Sequence, residues 1–164
     1  MTLDQLRLDS DLMNVLRAGV THAVAHGAHF VAPPHLLLGL LADPLIGPAI
    51  APFVPRDKVD RAAADAAAKP SQLVEIPEEP AANGDSPPFA RYDSLAFRSQ
   101  DGTRTLYLDG ESFRLFVEGA RRAVGVYRAK HLVYGFAAEA VKDRDLLSLF
   151  GTDPQSVSKA VEGL

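Results

Sequence analysis

"PHLLLGLLA" (residues 34–42) and "KHLVYGFAA" (residues 130–138) share one frame: a histidine, a leucine directly behind it, a glycine four residues on, and an apolar close. In the first copy, "APPHLLLGLLA" at 32–42, two prolines and His35 open an almost unbroken apolar run. Proline fits the first turn of a helix, where its missing N–H would have no partner. The pattern therefore predicts a helix start at each site, with Leu36 and Leu132 entering the core. His35 and His131 are expected to bond nearby backbone groups or a neighbouring helix end. A catalytic role would need a second polar partner in the same register, and neither copy offers one.

The frame extends outward. Asp9 or Ser10 can cap a helix with apolar positions Leu12, Met13, Leu16, Gly19, Val20 and Ala23; Asp109 can do the same for Phe113, Phe116, Val117, Ala120, Ala123 and Val124. These sets coincide under a shift of 100 residues, whereas the histidine segments coincide under a shift of 96. A loss of four residues, about one helical turn, is expected near 124–127; it would shorten the first helix of the second copy or its following loop and keep the apolar face. Each histidine helix leads to a short apolar helix closing at Phe53 or Phe150. A capped amphipathic stretch then follows, "VPRDKVDRAAADAAA" in one half and "TDPQSVSKAVEGL" in the other. Four helical segments occur twice, so the expected fold is all-α: two pseudo-repeated four-helix units, about eight helices.

Between the copies lies "KPSQLVEIPEEPAANGDSPPFARYDS", with five prolines, which reads as an extended linker. Residues 71–94 hold one basic and five acidic side chains, so the net charge of −4 resides there. "SLAFRSQDGTRTLYL" alternates apolar and polar residues around Asp101-Gly102 and predicts a small β-hairpin over 94–108. The expected organisation is repeat one over 1–67, linker and hairpin over 68–107, and repeat two over 108–164, together one domain. The hairpin's edges invite strand pairing, so the chain is expected to be a monomer or a hairpin-mediated dimer.

The 164 residues are 47% hydrophobic and 23% charged, enough for a sizeable core. No cysteine is present, which excludes disulfides, thiolate metal sites and cysteine nucleophiles. The acidic balance argues against nucleic acid as a partner. The longest apolar run is too short to span a bilayer, and the acidic N-terminus does not read as a signal peptide, so a cytoplasmic location is expected, with no membrane partner. His22, His26 and His29 are the best metal candidates, but "HAVAH" lacks the glutamate of H-E-x-x-H and Gly27 is expected to end the helix before His29. They read as exposed polar histidines, and no metal or cofactor is expected. No serine lies in a G-x-S-x-G setting, and the paired acids Glu78-Glu79 sit among prolines without burial. The expectation is a protein that is not an enzyme.

Two copies of a four-helix unit, each with an "H-L-x-x-G" helix start, resemble the Clp N-terminal domain, the module at the front of Clp/Hsp100 unfoldases. "VAPPHLLLGLLA" is the most specific piece, and the resemblance covers the chain apart from roughly 66–107. It implies an all-α pseudo-twofold domain that docks adaptors, substrates or a regulatory ligand of a Clp unfoldase–protease. It also implies a partner-binding face at Leu8, Asp9, Asp11, Tyr107, Leu108, Asp109, Glu111 and Lys130. Members of the ClpC type hold phosphoarginine with a Thr and an Arg near the first helix start and a Glu before the histidine. Here Asp9 and Asp109 stand at the Thr positions, Asp11 and Glu111 at the Arg positions, and Pro34 and Lys130 at the Glu positions. Carboxylates where a cation is needed would repel phosphate, so no phosphoarginine binding by that mechanism is expected. Lys130 and Arg128 could still favour an acidic partner in repeat two. No G-x-x-x-x-G-K-[ST] motif occurs, and the expected form is a freestanding homologue without the ATPase. A second reading is sequestration of a hydrophobic small molecule or cyclic peptide antibiotic that targets Clp N-domains, in a groove near Leu8, Tyr107 and Leu108.

Overall fold

Gly39 and Gly135 set the central crossings. A Cβ on Gly39 would lie 2.5 Å from the Val15 carbonyl oxygen and 3.1 Å from the Gly19 nitrogen; one on Gly135 would collide with the Leu115 carbonyl and the Gly119 nitrogen. Lacking side chains there, each histidine helix crosses its predecessor at backbone contact. The computed structural model describes residues 6–68 and 96–164. In it α1 (Ser10–Ala25) packs on α2 (Pro33–Leu41), and α5 (Gly110–Arg122) packs on α6 (Ala129–Ala140). The glycine pairs Gly19/Gly39 and Gly119/Gly135 are the same contact made twice.

The unbroken apolar run now has its reason. Residues 31–40 are all buried, so α2 has no solvent face and needs apolar side chains on every side. Leu36, Leu37, Leu38 and Leu40 are each at most 1% exposed, and each such leucine is worth roughly 1.5–3 kcal/mol against exposure. Each repeat is completed by two further helices: α3 (Ile46–Ile50), extended by a 3-10 turn (Ala51–Phe53), with α4 (Arg56–Ala68), and α7 (Arg144–Leu147) with α8 (Pro154–Val161). The described residues thus form eight α-helices, a mostly all-α fold as expected. The short helix of repeat two ends at Leu147 rather than Phe150; tight turns carry the chain on, with Leu149 and Phe150 N–H groups donating to Leu146 and Leu147.

The change of register is also explained. α1 has 16 residues and α5 has 13, whereas α2 has 9 and α6 has 12. Repeat two loses most of a turn from its first helix and regains it in its second. The offset is back to 100 at the caps of the third helices, where Asp43 accepts from the Leu45 and Ile46 N–H groups and Asp143 from those of Asp145 and Leu146.

The hairpin is present as β2 (Ala96–Arg98) antiparallel to β3 (Thr105–Tyr107). Gly102 takes φ +76°, which suits glycine in the turn. The Asp101 carboxylate accepts from Ser99 Oγ and from the Thr103 N–H and hydroxyl. Phe97 and Leu106 are each 6% exposed, and the Phe97 ring lies 6.2 Å from Phe116, so the hairpin packs on the helices. The linker expected over 69–94 lies outside the described residues.

One feature carried no pattern in the sequence. β1 (Arg7–Leu8) runs parallel to β4 (Val126–Tyr127), with Leu8 opposite Tyr127, and Leu108 bridges in parallel to Val31. Leu8 and Leu108 differ by 100, and Val31 and Tyr127 by 96, the offsets of the duplication itself. Each repeat therefore lends its entering strand to the other. Val31 also occupies the outer edge of β3 through Val31 N–H to Tyr107 O and Asp109 N–H to Val31 O.

Candidate functional site

The strand exchange brings the first helix of each repeat to the histidine helix of the other, and a cleft forms at each meeting. The larger is about 520 Å³. Asp109, Gly110, Glu111 and Arg114 of α5 meet Pro33 and Pro34 of α2 there, with Ala62, Asp65, Ala66 and Ala67 of α4 on one side and Asp145, Leu146 and Leu149 on the other. The smaller is about 240 Å³, lined by Asp11, Asp43, Pro44, Leu45, Ile46, Arg128, Lys130 and Leu164. Its parts correspond: Asp11 to Glu111, Lys130 to Pro34, the α2–α3 turn to the α7 region, and the end of α8 to that of α4.

The electrostatics of the two clefts differ. In the smaller, Asp11 accepts from the Leu12 and Ala129 N–H groups, the latter across the repeats at 3.3 Å. Arg128 Nε lies 3.7 Å from Asp11 and 3.8 Å from Asp9, and its Nη1 donates to the Leu164 carbonyl. Burial raises the Asp11 carboxyl, against the pull of those two N–H groups. Asp9 occupies the N-cap position of α1 without capping it. That corrects the expected cap: the carboxylate faces Arg128 instead. Arg128 is likewise spent internally rather than offered to an acidic partner.

In the larger cleft Asp109 does cap its helix, accepting from Ser112 N–H at 2.8 Å. Burial pushes its carboxyl up to about 6, with the Ser112 N–H opposing. Asp65, Glu111, Asp145 and Arg114 line the same space, and among the described residues none of these five has an ion pair within 4.0 Å.

The expected binding-face residues thus divide. Asp11 and Lys130 line one cleft and Asp109 and Glu111 the other, while Asp9 sits beside Arg128. Leu108 is a correction: at 3% exposure it is a core residue, held by its bridge to Val31. Leu8 and Tyr107 are half-buried in strand pairings, and neither lines either cleft. Asp65, Arg114 and Asp145 escaped the site assignment; carrying the duplication's offset through the later helices would have brought α4 and α7 to the cleft.

His35 is fully buried. Its Nδ1 accepts from the Ala32 N–H at 3.0 Å, and its Nε2 donates to the Ala63 carbonyl of α4 at 3.1 Å, tying the start of α2 to the last helix of its repeat. Burial lowers its pKa to about 4. His131 repeats the first bond, accepting from Arg128 N–H at 2.9 Å. Gly27, at φ +76°, ends α1 as expected. His22 and His26 are half-buried rather than exposed, because His26 Nδ1 turns back to the His22 carbonyl and its ring lies 5.8 Å from that of His35. Among the described residues no group of three His, Asp or Glu side chains could hold a metal, and no single helix is long and apolar enough to cross a membrane.

In comparisons with known proteins, no family model, no characterised relative and no solved structure matched the chain.

Proposed function

We propose that the chain is a non-enzymatic protein- or peptide-interaction module on the plan of the Clp N-terminal domain, docking adaptors, substrates or a regulatory ligand of a Clp unfoldase–protease. One observation carries this reading: the duplicated unit places a cleft at each histidine-helix start, built from both repeats. Concave surfaces assembled between packed elements are where binding sites concentrate. The sequence frame at both starts is the one that resembles the Clp module, and it supplies the pathway. Asp11 and Lys130 face one cleft and Asp109 and Glu111 the other, which makes them the contact residues on this reading.

The test is affinity capture from a lysate of the native cell, read by mass spectrometry, beside a Glu111→Lys/Lys130→Glu variant. Enrichment of a Clp unfoldase or its adaptors, diminished in the variant, is the expected result. Recovery of no Clp component would overturn the assignment to that pathway.

A further inference from the structure

We infer that the larger cleft, between α4 and α7, takes a basic peptide segment, with arginine or lysine side chains at its acidic rim and an apolar side chain on its floor.

Three observations converge. The first is that, among the described residues, the cleft is an interface left open. In the other half of the molecule α3 packs against α8, and Gly151 N–H donates to the Phe53 carbonyl close by. The corresponding pair, α7 and α4, encloses the cleft of about 520 Å³, within the range of roughly 300–1,000 Å³ for small-ligand sites.

The second is the floor. Half-buried Ala62, Ala66 and Ala67 present apolar surface that an entering side chain would take from water, beside Pro33, Leu146 and Leu149, which are already buried.

The third is charge complementarity. Among the described residues, Asp65, Asp109, Glu111 and Asp145 line the cleft as four carboxylates, against the cation Arg114 and the imidazole of His29. Asp65, Glu111 and Asp145 are exposed and held by no ion pair among the described residues. Asp109 is pushed up by burial, and Arg114, whose charge opposes that rise, stands beyond ion-pair distance. A cation brought here gains attraction from all four and breaks no ion pair among the described residues. The smaller cleft offers no such gain: its two carboxylates are balanced by Arg128 and Lys130.

The inference rests on the interaction-module reading but stands or falls by its own experiment. Fluorescence anisotropy with the full chain would compare a labelled nonapeptide alternating leucine and arginine with the same peptide carrying glutamate for arginine. The arginine peptide should bind, more weakly as salt is raised. Asp65→Asn/Asp145→Asn, two exposed side chains with no structural hydrogen bond, should weaken it by about tenfold. The control Asp57→Asn/Glu162→Gln removes two exposed carboxylates outside the cleft and should leave binding unchanged. No binding up to about 1 mM peptide, equal binding of the glutamate peptide, or equal loss in the two double variants would each overturn the proposal. Capture of a Clp component with no arginine-peptide binding would sink this inference and leave the module reading standing. Peptide binding without such capture would do the reverse.

Discussion

The two clefts descend from one unit and are lined by matching elements, but one is open and acidic while the other is small and internally neutralised. The difference lies in side-chain size and cross-repeat ties. α4 turns Ala62, Ala66 and Ala67 toward its cleft, side chains too short to fill the space to α7. In the other half α3 closes on α8, with Ile46 and Ile50 of the one and Val157 and Val161 of the other buried. Arg128 then draws Asp9, Asp11 and the Leu164 carbonyl together, and among the described residues nothing equivalent occupies the larger cleft, where Ala32 stands at the matching position. Duplication kept the frame twice and left only one copy with charge to spare.

The sharpest way to break this comparison is at the feature the copies share. Gly39→Ala and Gly135→Ala each force a Cβ against a backbone carbonyl, and each should cost about 3 kcal/mol or more. Urea midpoints would check it; a loss in only one repeat would mean the two crossings are not equivalent. The histidines come next. His35→Ala strands a buried N–H and a buried carbonyl and should cost about 2 kcal/mol. His131→Ala strands one half-buried N–H and should cost about 1 kcal/mol. Equal losses would contradict the asymmetric burial of the two rings.

A smaller effect sets the buried histidines against the cleft aspartates by pH. His35 titrates at about 4 in the fold against an ordinary 6.5. As pH falls through that window the unfolded chain takes up the proton first, and stability falls. His22 and His131, lowered by burial, act in the same sense. Asp109 has the opposite sign: at about 6 against 3.8, the fold keeps a proton the unfolded chain has released, so stability falls as pH rises. Asp11, raised by burial, acts with it. Asp109→Asn keeps a capping side chain but removes that opposition. Its stability should climb more steeply from about pH 4 to 6, by at most about 1.4 kcal/mol per pH unit. An unchanged slope would show that Asp109 is not desolvated. The smallest expected effect is none: calorimetry with free phosphoarginine should give no binding heat at either cleft, since carboxylates hold the positions a cation would need.

What could be read from the chain follows the range of each interaction. The histidines of the repeated frame bond to backbone three residues back, so their spacing alone announced the helix starts, whereas the glycine crossings with the preceding helix appear only in the fold. Asp101-Gly102 announced the hairpin for the same reason. β1 and β4 have two residues each, too few for an alternating pattern, and the bond from Ala129 to Asp11 spans 118 positions. Such ties become visible only when both copies are folded together. Asp65 and Asp145 lie in polar helical stretches that look merely solvated until α4 and α7 are seen to flank one opening.

The exchange of entering strands has a consequence for how the chain could be divided. Because Leu8 belongs to the sheet of the second half and Leu108 to the bridge of the first, neither half carries its own closing strand. Two polypeptides separated anywhere between Ala68 and Ala96 would each lack what the other supplies, and should assemble on mixing as complementing fragments. Gel filtration would show them co-eluting as a one-to-one pair at the size of the intact chain. The reciprocal clasp would then join the halves without any covalent connection.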